Sequence, residues 1–317
     1  MTDTRDSTEA ATTASLFDDE LAVAHSSYNG IVLDPEHDRG QRLRIVPPGK
    51  LLPDVGDPKP SAEVKFLHDQ FATLVSGQFP CIGAHAAFHE GTYRLGVYDR
   101  LATIESVAGM GRDLRRFVGE QTRFASLRDY LHEGEAFGQF TSFVAVFRQP
   151  VPTSEEQFED LLWQHLQLLH DHDEPVWDPD RSATPGDPHF AYSFAGRAFF
   201  VVGFNPHASE LPRRFAYCTL VFNAEYQIGR LHEEGRFLAF ANAVRRRYVR
   251  VAGRLNPSVP RDVESVQDET RVYSGVPHPE GDGWRCPLHV RPEVVDPEAD
   301  DPEADGSRAN GGEGEDA

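Results

Sequence analysis

The chain has 317 residues and a formal charge of −20 at pH 7, with 51 acidic side chains against 31 lysines and arginines. Such a balance leaves no basic face for a nucleic acid or an anionic membrane, and neither is expected as a partner. Hydrophobic residues make up 39% without counting the 26 glycines, which is enough for a sizeable core.

In chain order, residues 1–14 are polar and acidic and are expected to be disordered. Residues 64–76 read as a helix, with Val64, Leu67, Phe71 and Leu74 on one stripe. The pair Pro80 and Gly83 around Cys81 reads as a tight turn. Residues 94–98 read as a strand, 112–131 as one or two helices around Leu114, Phe117 and Val118, and 141–147 as a strand. Thr153 with Glu156 three residues on reads as a capping box. It opens a helix that runs to about His172, with Pro175 as its stop. Residues 190–194 and 197–204 suggest a hairpin turning at Ala195-Gly196, and 217–222 another strand. Residues 225–249 read as a long helix interrupted near Gly235.

This grouping predicts an α+β fold, a single domain over 15–293 with a mixed or antiparallel sheet flanked by helices. Residues 294–317 form an acidic tail with a tandem Asp-Pro-Glu-Ala-Asp repeat at 296–305. It is expected to be a disordered, solvated extension, with a docking segment as the other reading.

The cationic side chains are nearly all arginine; Lys50, Lys59 and Lys65 are the lysines. Strong acidity with little lysine fits a halophilic protein whose surface charge is screened by concentrated salt. Arginine-rich codon usage beside an acidic tail is the competing reading. No apolar run is long enough to span a bilayer, and Met1–Glu20 lacks a secretory pattern, so a cytoplasmic location is expected. Cys81, Cys218 and Cys286 form neither a disulfide framework nor a zinc-type spacing, and Cys218 reads as a core residue of a strand.

Two cysteines stand beside prolines in separate segments: Phe79-Pro80-Cys81-Ile82-Gly83-Ala84-His85-Ala86-Ala87-Phe88 and Trp284-Arg285-Cys286-Pro287-Leu288-His289. Between them lie Leu161-Leu162-Trp163-Gln164, Trp177-Asp178-Pro179, Ser193-Phe194-Ala195-Gly196-Arg197-Ala198-Phe199, Arg213-Arg214-Phe215, Leu220-Val221-Phe222-Asn223 and Tyr273-Ser274-Gly275. In this order the segments resemble the YqcI/YcgG family, the FPC and CPF motif-containing proteins, over roughly residues 64–290. That resemblance implies a heme cofactor and hydroxylation of a side-chain nitrogen of amino acids or guanidino compounds. It also implies O₂ and a small-molecule substrate as partners, and an electron donor that the sequence does not identify. The chain departs from the family pattern at Asn205 and Glu225, where relatives often carry histidine, and at Leu288, where the last motif usually has phenylalanine. These departures keep a non-catalytic heme-binding or heme-sensing protein, and a cofactor-free relative, as alternatives.

Protein heme iron is usually held by a histidine nitrogen or a cysteine sulfur. His170 is the first candidate, because Trp163, Leu166 and Gln167 behind it on the helix make a mixed apolar and aromatic face suited to a porphyrin. The alternative is a half-buried histidine favoured by the helix dipole. Cys81 is the competing ligand, and Cys286 a third; the alternative for both is a small core residue. His165 and His172 sit about two turns apart, too far to share a metal. Arg94, Arg197, Arg213 and Arg214 are candidates for heme propionates or a substrate carboxylate, or else surface ion pairs. Asp178 is a candidate receiver of a cationic guanidinium, or a cap for its own loop. No nucleotide loop or nucleophile elbow is present.

Overall fold

The structure, a computed structural model, describes residues 15–27, 61–130, 140–174, 176–259, 262 and 268–291, with 122–130 as backbone only. The N-terminal stretch, Pro175 and the acidic tail lie outside these residues.

Five strands make one mixed sheet in the order β1-β2-β5-β4-β3. They are β1 (Tyr93–Arg100), β2 (Ser142–Gln149), β3 (Tyr192–Phe194), β4 (Arg197–Phe204) and β5 (Cys218–Ala224). Strands β1 and β2 run parallel, with Leu95 opposite Val144, and every other neighbour is antiparallel. A parallel pair needs a crossover, and helix α4 (Ile104–Tyr130) supplies it. The fold is thus the expected α+β domain with one βαβ unit inside it. The β3–β4 hairpin turns at Ala195 and Gly196, both at positive φ (50° and 69°), the geometry that two-residue hairpins favour.

Strand alternation divides the core into two layers. Phe143, Ala145 and Phe147 of β2, with Leu220 and Phe222 of β5, point to one face. There they meet α4 and α5 (Glu155–His172), through Leu114, Phe117, Phe158, Leu162 and Leu166. Val144 and Val146 point to the other face, against α2 (Ala62–Ser76) through Val64, Leu67 and Phe71. Such inward and outward alternation is the period-2 rule of a sheet covered on both sides. Gly203 lets α5 approach β4 closely, since a Cβ there would lie 2.7 Å from the Phe158 ring.

Three local expectations change. The cap of α5 is Ser154, which accepts from the Gln157 N–H, while Gln157 Oε1 takes the Thr153 N–H at 2.6 Å. The cap is therefore Ser154 rather than Thr153, and Gln157 reaches past it to the Thr153 N–H. Residues 81–90 are not a tight turn: Cys81 caps helix α3 (Ile82–Glu90). A short helix α1 (Glu20–His25), which sequence periodicity does not reveal, docks on α4, with Phe17 buried over Gly111. The break at Gly235 is present, between α6 (Tyr226–Glu233) and α7 (Phe237–Ala252). Among the described residues no helix is long and apolar enough to cross a membrane.

Candidate functional site

The two cysteine segments pack on opposite faces of the sheet. Cys81 lies between Phe79 and Ala84, which rest on the α2 layer, whereas Cys286 packs against the α4–α5 layer. They do not build one ligand set.

Cys81 is half-buried, and its sulfur accepts the Ala84 N–H at 3.4 Å at the start of α3. Burial raises its thiol pKa; the N–H groups of Ala84 and Gly83 and the charges of Arg213 and Arg247 pull the other way. Burial wins, so the free thiol is held above its usual pKa, with the helix N-terminus and the guanidinium groups offsetting part of that rise. One turn on, His85 Nε2 lies 2.8 Å from the Phe79 carbonyl oxygen and 2.9 Å from Arg247 Nη2. That nitrogen donates to the carbonyl or accepts from the guanidinium, not both at once. Arg247 also donates to the Phe79 carbonyl at 3.2 Å, tying α7 to the first cysteine segment. Arg213 donates to the carbonyls of Gly203, Val272 and Tyr273, which fixes its guanidinium behind β4. The α3 surface is built from small residues, Gly83, Ala84, Ala86 and Ala87, and a Cβ on Gly83 would meet the Phe140 ring at 2.8 Å.

Cys286 belongs to a strap, residues 284–291, laid along α5. Trp284 packs on Trp163 with ring centroids 6.1 Å apart. Gln167 exchanges two hydrogen bonds with the backbone of His289, at 2.8 and 3.0 Å. The Arg291 N–H donates to His170 Nε2 at 3.0 Å. The aromatic face that suited a porphyrin in the sequence, Trp163, Gln167 and His170, is therefore the seat of the chain's own C-terminal segment. Burial, then Arg291, hold the His170 pKa below the usual imidazole range. Burial pushes Cys286 up to about 11, and Cys218, a core residue of β5, up to about 12.

The candidate cations and acids are dispersed. Arg94 pairs with Glu120 at 3.0 Å beside α4. Arg197 is exposed at the start of β4, and Arg214 donates to the Ala208 carbonyl. Asp178 caps its own neighbourhood, accepting the N–H groups of Asp180 and Ala198. Asn205 and Glu225 are both buried. Glu225 pairs with Arg181 at 3.1 Å, and burial raises its carboxyl and that of its neighbour Glu269. His165 is buried between the Ala102 N–H and Met110 Sδ, and burial drops its pKa to about 3. Among the described residues no three His, Cys, Asp or Glu side chains converge for a metal ion.

Sequence reasoning passed over His85 and Arg247. The signal for His85 was its spacing: four residues after Cys81, it shares a helix face with it. The signal was hidden because the segment read as a turn.

The YqcI/YcgG family model matches residues 70–289, and the chain belongs to that family. It is 26% identical to the YcgG protein of Bacillus subtilis (strain 168) over 153 residues, 47% of this chain and 55% of that one. It is 24% identical to YqcI of the same strain over 167 residues, 50% of this chain and 60% of that one. The matched stretches thus span little more than half of either relative. No solved structure matches the chain. The family match begins in α2 and ends in the strap, so it takes in both cysteine segments.

Proposed function

We propose that this protein is a heme-dependent N-oxygenase acting on a side-chain nitrogen of a small amino acid or guanidino compound, and that Cys81 would hold the heme iron. The observation that carries this reading is the setting of Cys81 at the N-terminus of α3, with Arg213 and Arg247 around it. Among the three cysteines it combines a helix N-terminus with nearby guanidinium charge, which offsets part of the burial that raises its thiol pKa and would help an iron ion draw off the proton. His170 is less suited, because its Nε2 already accepts the Arg291 N–H.

Bound heme supplies oxygen binding and activation. The chain's own part is to hold the group. Arg247 would suit a propionate. Helix α7 is tied to α3 on the Cys81 side through Arg247 and His85. In the overall step one oxygen atom enters an N–H bond of the substrate. The other leaves as water, with two electrons and two protons from an external reductant.

The test is the absorbance spectrum of protein expressed with heme supplied. A Soret band at one heme per chain is expected. Its absence marks a cofactor-free relative and overturns the reading. A Soret band without any oxygenated product marks a binding or sensing protein instead.

A further inference from the structure

Helix α7 stands apart from the rest of the molecule in charge and burial. Its 16 residues carry four arginines and no acidic side chain, in a chain of formal charge −20. None of its residues is fully buried. Its inward side holds Phe240 stacked on Phe140, Arg247 against Phe79 and His85, and Tyr248 donating to Glu210. Its outward side presents Leu238, Ala239, Asn242, Arg246, Val249 and Arg250, all exposed. Leu238 keeps 43% and Val249 41% of their surface in water. The helix dipole favours Arg250 in the last turn, but it explains neither Arg246 nor the two exposed aliphatic side chains. A face of arginine mixed with aliphatic surface fits a polyanion that also carries small apolar groups.

The chain itself supplies one. Residues 292–317 hold ten acidic side chains against the single Arg308. Six of the ten lie in the tandem repeat at 296–305, interleaved with Ala299, Ala304 and two prolines, and preceded by Val294 and Val295. This segment leaves the described part of the domain at Arg291, which is anchored to the carbonyls of His170 and Asp173. Its 26 residues reach about 90 Å when extended, more than the width of a domain of this size. Each exposed ion pair is weak alone, but a tether raises the local concentration to the order of millimolar.

We propose that the acidic segment 292–317 docks in cis on the outward face of α7. The same helix ties Arg247 to His85 and Phe79 beside Cys81. At low salt the segment is bound. At about 1 M salt, where the screening length falls to about 3 Å, it is released.

The test is amide hydrogen exchange of α7, read by mass spectrometry on the full chain and on the chain ended at Arg291. In low salt, exchange across 237–252 is expected to be several-fold slower in the full chain, with the difference gone at 1 M potassium chloride. A full-length Arg246→Glu/Arg250→Glu variant is expected to exchange like the shortened chain. So is a full-length chain with Asp296→Asn, Glu298→Gln, Asp300→Asn, Asp301→Asn, Glu303→Gln and Asp305→Asn, which leaves the folded domain untouched. Equal exchange in the full and shortened chains at low salt overturns the proposal. So does protection that survives the two arginine substitutions. Protection that grows with protein concentration overturns docking in cis and assigns the contact to a second copy.

Discussion

The backbone N–H of Arg291 points at Nε2 of His170 across 3.0 Å, and the Arg291 guanidinium caps the last carbonyls of the same helix, His170 and Asp173. This fixes the neutral tautomer with its proton on Nδ1 and spends the Nε2 lone pair. His170 is thus a latch for the strap that carries Cys286. The expected outcome of His170→Ala is a loosened strap and a loss of about 1–3 kcal/mol, from the unpaired N–H and the emptied space beside Trp177. Heme retention should be unchanged. Cys81→Ala, in contrast, should fold and lose the Soret band. Comparing both variants by melting and by absorbance separates the roles; heme loss in His170→Ala with retention in Cys81→Ala assigns the iron to histidine.

A second prediction concerns acid. Asp113 is buried on α4, where it accepts from Ser26 Oγ, from the Ser27 N–H at 2.7 Å and from Tyr98 Oη at 2.8 Å. Burial raises its carboxyl from 3.8 to about 6, against the pull of these bonds. A raised folded-state pKa means that the protonated form favours folding. Its contribution is full below pH 3.8 and is lost as pH rises to about 6, worth on the order of 3 kcal/mol. Asp113→Asn is expected to flatten the fall in stability across that window, measured by chemical denaturation at each pH. Asp173, Glu225 and Glu269, whose pKa values burial also raises, contribute slopes of the same sign that the variant leaves in place.

The N-terminal segment offers a steric test. A Cβ on Gly109 would lie 2.1 Å from the His25 carbonyl oxygen, a backbone atom that has no rotamer to escape into. Gly109→Ala should cost about 1–3 kcal/mol or more, and should expose residues 15–27 to limited proteolysis at low protease. Gly119→Ala, on the same helix with nothing within 4 Å of its would-be Cβ, is the matched control and should be neutral or slightly stabilising.

Salt gives a fourth prediction. A chain of charge −20 with three lysines repels itself, and screening relieves that repulsion. Its melting temperature should rise through a potassium chloride series well beyond physiological strength. A flat or falling series leaves codon usage as the source of the arginine bias. The same series releases the acidic segment from α7, so the melting temperature should rise while α7 loses its protection from exchange.

Much of the fold was legible in the sequence because its signals are local. The Ala195-Gly196 turn, the Gly235 break and the apolar stripes of α2 and α5 each declare themselves within a dozen residues. The parallel pairing of β1 with β2 was not legible, since strand order is set by contacts across the length of α4. Helix α3 was hidden by Pro80 and Gly83, both breakers in isolation. Here Pro80 precedes the cap, and the packing of Phe140 leaves no room for a side chain at Gly83. The site shows the same division. Cys81 and its segment were readable as a family motif, which the family match takes in. The aromatic face of α5 was readable as a surface that must be covered, but its period cannot say whether a cofactor or a strap of the chain itself covers it.

The central claim is nitrogen oxygenation, and its product tests it most directly. Heme-loaded protein with a reductant, incubated in air with arginine, lysine and related amines, is expected to convert at least one of them to a product heavier by one oxygen atom. Fragmentation should place that atom on a side-chain nitrogen, and formation should cease without O₂ and in Cys81→Ala. Firmly bound heme with no oxygenated product from any of these substrates would contradict the account and leave a heme-binding protein in its place.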